Sequence, residues 1–328
     1  MRALGVAMGG AAIGRAALAG LMAAIGMTAA LPAASAAEPA GCQTVRMADP
    51  GWTDITATNA VAGTLLGALG YQQKIETVAV PIIFQGLKTA QIDVFLGNWM
   101  PAQSGFLDKL VAENSVEILR PNLENAKFTL AVPTAVADAG VHSFADLARF
   151  GDRFEKKIYG IEPGAPANQN IQRMLDKKDF GLEGWTLVES SEQAMLAQAV
   201  RRTRSKDWVV FLGWQPHPMN TRIDMTYLSG GDAYFGPNYG STTVNTLSRR
   251  GYGSDCPNAH RLFSQLAFTV AMENEIMAAI TEDKKAPKDA AAGYLKAHPD
   301  LLGPWLASVS TRDGKDAAPA VRAALGLK

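Results

Sequence analysis

The stretch Asp93-Val94-Phe95-Leu96-Gly97-Asn98-Trp99-Met100-Pro101 decides the fold. Its apolar part is short and continuous, lacks the alternation of a half-exposed strand, and stops at turn-forming residues. That reads as a strand buried on both faces, as in parallel sheets covered by helices. The run Val209-Val210-Phe211-Leu212-Gly213-Trp214-Gln215-Pro216 repeats the pattern. Each run delivers a tryptophan at the carboxyl end of its strand, the side on which open α/β sheets collect ligands. Either indole would also suit a core position at a strand end.

Outward from the first run, Thr44 to Met47 reads as a strand, and the loop Ala48 to Asp54 leads into a helix through Leu69. Lys74 to Pro81 reads as a strand and Phe84 to Gln91 as a helix. The same grammar restarts after Pro121, with strands expected at Phe128 to Val132, Lys157 to Ile161, Trp185 to Val188 and Trp208 to Leu212. Helices are expected at Phe144 to Phe150 behind Ser143, at Gln169 to Leu175 and at Glu192 to Thr203. A turn-rich segment then gives way to a strand from Thr242 to Leu247 and helical patterns over Ala259 to Thr281, Lys288 to His298 and Ala317 to Leu325. Strands alternating with helices predict two successive α/β units with parallel sheets.

Composition excludes several classes. The 328 residues are 48% hydrophobic and 19% charged, enough for one large core or two medium ones and unlike a disordered chain. Residues 1 to 36 carry Arg2 and Arg15, no acid, an apolar run from Ala16 to Leu31, the breaker Pro32 and the small residues Ala34-Ser35-Ala36. That is the order of a secretory signal cleaved before Ala37. An uncleaved anchor is the alternative, but the apolar run is short for a span of about 20 residues. A lipid on Cys42 is another, though Pro39 and Glu38 do not suit such a site. Losing the leader turns 31 basic and 31 acidic residues into 29 and 31, so no nucleic-acid partner is implied. Export puts Cys42 and Cys256 in an oxidising compartment, where a bridge between them would tie the mature N-terminus to the last third of the chain. The tail would then pack on the first unit, and the chain would cross between units twice.

Catalytic signatures are missing. There is no Gly-x-Ser-x-Gly elbow or phosphate-binding loop in the mature sequence, and His142, His217, His260 and His298 are scattered without metal-ligand spacing. His217, between Pro216 and Pro218, reads as structural. Aromatic residues stand instead at the ends of strands: Trp52, Trp99, Phe128 and Trp214. Several aromatic faces around one volume make a box for a cation that cannot donate hydrogen bonds, which describes a quaternary ammonium.

Five segments in order carry a resemblance: Ala48-Asp49-Pro50-Gly51-Trp52-Thr53-Asp54, Phe95-Leu96-Gly97-Asn98-Trp99-Met100-Pro101, Gly160-Ile161-Glu162-Pro163-Gly164, Val210-Phe211-Leu212-Gly213-Trp214-Gln215-Pro216-His217 and Tyr234-Phe235-Gly236-Pro237. With the leader and the spaced cysteines, they resemble the choline/glycine-betaine substrate-binding proteins of bacterial ABC importers, in particular the choline-binding type, over nearly all of the mature chain. The resemblance implies an α/β, two-lobed periplasmic binding protein of type II with its ligand cleft between the lobes. Lobe 1 would comprise residues 37–121 and 237–328, and lobe 2 residues 122–236. The receptor would close on its ligand in the periplasm, present it to an inner-membrane ABC permease and catalyse nothing. A monomer without cofactor or metal is expected. By position, Trp52, Trp99, Phe128 and Trp214 become the box walls, Asp54 the polar anchor, and Cys42 and Cys256 the family disulfide.

Two positions depart from the choline type. Phe128 stands where that type has Tyr, and Ala165 where it has an Asn that would bond the ligand's hydroxyl. Asn168 or Asn170 could substitute, although Asn168 would also serve as a helix N-cap. Asp54 favours choline over a ligand carrying a carboxylate, and it too would cap a helix. Glycine betaine, carnitine and trimethylamine N-oxide remain alternatives, and the reading from a different class is an exported enzyme acting on a quaternary amine. That enzyme would need an acid or base partner for Asp54.

Overall fold

A computed structural model describes residues 37–328; the expected leader lies outside the described residues. The chain starts with strand β1 (Thr44–Asp49) and helix α1 (Thr53–Ala68), followed by β2 (Gln72–Thr77), α2 (Val80–Lys88), β3 (Val94–Met100) and α3 (Ser104–Ala112). A long strand β4 (Val116–Pro133) leads to β5 (Lys157–Tyr159), α4 (Pro166–Asp176), β6 (Thr186–Val188), α5 (Glu192–Ser205), β7 (Phe211–Gln215) and β8 (Met225–Tyr227). Strand β9 (Ser241–Arg249) precedes α6 (Pro257–Gln265), α7 (Val270–Thr281), α8 (Pro287–Ala297) and α9 (Ala317–Ala324).

The strands form one sheet in the order β2-β1-β3-β9-β4-β7-β5-β6, with β8 paired to β4. β1 lies parallel to β2 and β3 in one wing, and β5 parallel to β6 and β7 in the other. β9 and β4 run antiparallel between the wings. The run opening at Asp93 is buried through Trp99, as its composition requires. α1 is apolar on nearly all sides because it is covered on both: it packs on β1 and β3 and under α7, α8 and α9.

Cys42 and Cys256 are bridged, with Cα atoms 5.6 Å apart, which joins the N-terminus to the start of α6. Glu38 reinforces the junction, accepting hydrogen bonds from the Tyr71 hydroxyl at 2.5 Å and from the backbone N–H groups of Asn258 at 2.5 Å and Ala259 at 3.1 Å. With its sulfur in the bridge, Cys42 has no thiol left to carry a lipid.

Several boundaries differ from expectation. The strand expected at Phe128 to Val132 is the end of β4, which runs on from Val116 through Pro121, where register shifts on both sides accommodate the missing N–H. The helical pattern from Ala259 to Thr281 is two helices. Phe268 leaves the first to donate its N–H to the Asn122 carbonyl at 2.6 Å, and Thr269 caps the second by accepting from Met272 N–H at 3.1 Å. α3 and β8 were not anticipated.

Candidate ligand-binding site

The site begins in the turn after β1. Asp49 accepts hydrogen bonds from the N–H groups of Gly51 and Trp52 at 2.7 and 3.2 Å and from the Thr56 hydroxyl at 2.7 Å, folding the loop back on itself. Gly51 has φ +92°, a backbone state that disfavours any side chain. Trp52 thereby stands at the mouth of α1, with Asp54 in the helix's first turn. Its indole N–H is shared between the two carboxylate oxygens of Glu162, at 3.0 and 3.1 Å, from the loop after β5 in the opposite wing.

The two tryptophan-bearing strands end alike, each followed by a cis prolyl bond, Met100–Pro101 and Gln215–Pro216. Trp99 donates its indole N–H to Asp54 Oδ2 at 3.0 Å. Trp214 on β7 lies directly opposite Phe128 on β4, with ring centroids 6.5 Å apart. Phe128 also meets Trp99 at 6.0 Å and Phe235 at 5.8 Å. Trp52, Asp54, Trp99, Phe128 and Trp214 line a single cavity, together with Ala102, Gln103, Ile161, Pro166 and Ala167. It measures about 30 Å³ as the space open to the centre of a water molecule.

The lining is almost wholly apolar. Gln103 is occupied, donating to the Gly97 carbonyl at 2.8 Å and accepting from Asn98 at 3.2 Å. Asp54 is only 2% exposed, and its Oδ1 has no hydrogen-bond partner. Burial pushes its carboxyl up to about 8, and the nearby negative charge of Glu192 adds to this; the Trp99 hydrogen bond acts the other way. Glu162 is likewise pushed up to about 7 by burial.

Glu192, the first residue of α5, is buried and does not line the cavity. Its carboxylate accepts from the Thr53 hydroxyl, from Thr53 N–H at 3.1 Å and from His217 Nε2 at 3.2 Å. His217 Nδ1 accepts from Met219 N–H at 2.9 Å, so the ring hydrogen sits on Nε2. His217 thus acts on Glu192 and packs against the Trp214 ring, at 5.1 Å between centroids.

Ala165 is buried at the N-cap of α4 and does not reach the cavity; its neighbours Pro166 and Ala167 do. Asn168 is fully employed elsewhere. Its Oδ1 accepts from Ile161 N–H at 3.0 Å, and its Nδ2 donates to Ile161 O, Glu162 O and Glu189 at 2.8, 3.1 and 2.9 Å. It clamps the loop that carries Glu162 and lies off the cavity, and the N-cap position of α4 is held by Ala165. Asn170 donates to the Tyr234 carbonyl at 2.7 Å and also lies off the cavity. Sequence reasoning missed Glu162 and Glu192 as parts of the site. Glu162 stood in a quoted motif, while Glu192 after Ser191 looks like any acid opening a helix. Among the described residues, no group of three His, Cys, Asp or Glu side chains could hold a metal ion.

Residues 43–297 match the family described as the substrate binding domain of ABC-type glycine betaine transport system, OpuAC. The glycine betaine/carnitine transport binding protein GbuC of Listeria monocytogenes serotype 1/2a (strain 10403S) is 28% identical over 168 residues, which are 51% of this chain and 54% of that protein. Two solved structures, each 50% identical, cover 88% of this chain and all of their own. One is an ABC-transporter choline binding protein in complex with choline, TM-score 0.87, and the other such a protein in an unliganded semi-closed conformation, TM-score 0.81. The two-winged sheet and the cavity between its wings are therefore those of a type II periplasmic binding protein, and the chain belongs to the OpuAC family of substrate-binding domains of ABC transporters.

Proposed function

We propose that this protein captures choline, or a close quaternary ammonium compound, in the cavity formed by Trp52, Trp99, Phe128 and Trp214, with Asp54 as the anionic anchor. The observation that carries this is the unpartnered Oδ1 of Asp54, buried among four aromatic rings. A water radius of about 1.4 Å added to the cavity's measure makes a hollow of roughly 3.3 Å radius, close to that of a trimethylammonium head. Each aromatic face contributes about 0.5 to 2 kcal/mol toward a cation. Three or four faces plus methyl burial reach micromolar affinity, about −8 kcal/mol, after desolvation. The 50% identical structure in complex with choline supports the same ligand here.

In this reading, residues 37–121 with 237–328 and residues 122–236 form two lobes that close through β4 and β9. The receptor works in the periplasm after cleavage before Ala37, as a monomer that delivers its ligand to an inner-membrane ABC permease. Binding rather than catalysis is supported by the cavity lining, where Asp54 is the one titratable side chain: its neighbours Glu192 and Asp49 do not reach the cavity, and its hydrogen-bond partner is an indole.

Glycine betaine is the second reading, and one observation favours it. With its carboxyl pushed up to about 8, Asp54 is largely protonated at neutral pH and would donate a hydrogen bond to a ligand carboxylate. The two readings have opposite signs. Choline prefers ionised Asp54, so its affinity should rise with pH until about 8 and then level off. Betaine prefers the acid, so its affinity should stay level up to about pH 8 and fall above it. Titration calorimetry of refolded, ligand-free protein with choline, betaine, carnitine and trimethylamine N-oxide between pH 6 and pH 9 decides between them. Failure of all four to bind would remove the proposal.

A further inference from the structure

We propose that Glu192 is a positioning residue, a latch across the cleft whose grip on Thr53 sets how long the bound ligand stays. The inference rests on the reading of two closing lobes around a ligand cavity. Thr53 is the first residue of α1 and sits between a wall of the cavity, Trp52, and its anchor, Asp54. Trp52 supplies no side-chain cap to that helix, so its first N–H groups need an acceptor from elsewhere. Glu192 provides one from the other lobe, taking both the N–H and the hydroxyl of Thr53.

The third donor, His217 Nε2, belongs to the same lobe as Glu192 and orients the carboxylate before the lobes meet. In an open form, Glu192 would lose both Thr53 donors to water and α1 would lose its cap. The latch therefore forms only on closure and fixes the helix end that presents Trp52 and Asp54. It also brings the charge of Glu192 toward buried Asp54, an unfavourable approach that raises the carboxyl of Asp54. A cation in the cavity offsets that repulsion, so occupancy and latch support each other. Two further contacts follow the same path: Gln193 Nε2 donates to the Gly51 carbonyl at 3.3 Å, and Trp52 Nε1 donates to Glu162 at 3.0 Å.

Stopped-flow displacement of choline from wild type, Glu192→Gln, Thr53→Val and the double variant tests the latch. Glu192→Gln should speed dissociation roughly ten- to hundredfold, the range of a charge-assisted hydrogen bond, and leave association within a few fold. Thr53→Val, which keeps the N–H contact, should do less, and the double variant should be no faster than Glu192→Gln alone. Unchanged dissociation in Glu192→Gln, or strictly additive effects, would overturn the proposal. Should wild type bind no choline, the function reading fails and the latch is judged by small-angle scattering of ligand-free protein. There the latch acts on the closed fraction of the ligand-free population, so Glu192→Gln, or Thr53→Val where the first does not fold, should shift that population toward the open form and enlarge the radius of gyration; an unchanged profile refutes the latch.

Discussion

Strand β3 has a buried aspartate at each end, and the two are treated in opposite ways. Asp93, at the amino end, is 3% exposed and receives Arg46 N–H and Nε at 2.9 Å, Arg46 Nη2 at 2.6 Å and Arg249 Nε at 2.8 Å. Burial alone would raise its carboxyl, but the hydrogen bonds from Arg46 and Arg249 outweigh it and hold the value below the ordinary 3.8. Asp54, beside the carboxyl end, is equally buried and has one indole N–H, no cation and an unpartnered oxygen. A charge that holds the fold together is satisfied within the chain. One left unsatisfied, in a cavity walled by aromatic rings, is positioned for something the chain does not contain.

The largest effect that tests this contrast is on folding. Asp93→Ala removes the acceptor that Arg46 and Arg249 share; Arg249 keeps Asp255 at 2.7 Å and Arg46 reaches solvent, so the change should cost about 3 kcal/mol of stability in a denaturant titration, with choline affinity unchanged in the folded fraction. A variant as stable as wild type would break the comparison.

Asp54→Asn should behave in reverse. It should weaken choline binding by about 1.5 to 3 kcal/mol, the range for a hydrogen bond to a charged group, while leaving the fold intact. Calorimetry that finds choline bound as tightly as by wild type would remove Asp54 from the site.

The walls come next. Replacing Trp52, Trp99 or Trp214 by Ala should cost roughly 1 to 3 kcal/mol of binding through the lost ring face. If these residues serve only as core, the loss would appear instead as about 3 to 5 kcal/mol of stability. The neutral isostere 3,3-dimethylbutanol sharpens the distinction, because it keeps the shape and hydroxyl of choline without the charge. It should bind far more weakly than choline.

The pH dependence of stability tests the sign of the contrast. Because the carboxyl of Asp54 is raised from 3.8 to about 8 in the fold, its burial costs nothing below pH 4, where it is protonated folded or unfolded. The cost grows as pH rises and is complete above about pH 8. Thermal melts of ligand-free Asp54→Asn should therefore coincide with wild type near pH 4 and move above it toward pH 9. Asp93 has the opposite sign: its contribution is present above its ordinary value and is lost as acid protonates it. Parallel melts of wild type and Asp54→Asn at all pH values would refute the contrast.

Much of this arrangement was legible in the chain. The repeat of Phe-Leu-Gly ahead of Trp99 and Trp214 marked two buried strands ending on one side of a sheet, and both indoles line the same cavity. The cysteine count together with the expected leader anticipated the bridge between Cys42 and Cys256. Local pattern placed only Phe128 to Val132 in a strand, whereas β4 runs from Val116 through Pro121, because the register shifts that accommodate a proline depend on the partner strand β9. It also misread Asn168, whose amide serves a loop closed by contacts from three directions.

By itself, the sequence determined which residues are apolar, at what period and next to which turn formers, and from these came the alternation of strands and helices and the aromatic residues at strand ends. Only the tertiary structure decided which charges find partners. Glu192 and Thr53 are 139 positions apart, and Asp93 and Arg249 are 156 apart, yet each pair meets within hydrogen-bonding distance. Whether a buried carboxylate is neutralised, used as a latch or left open depends on desolvation and on donors brought from distant segments. Neither exists until the chain has folded.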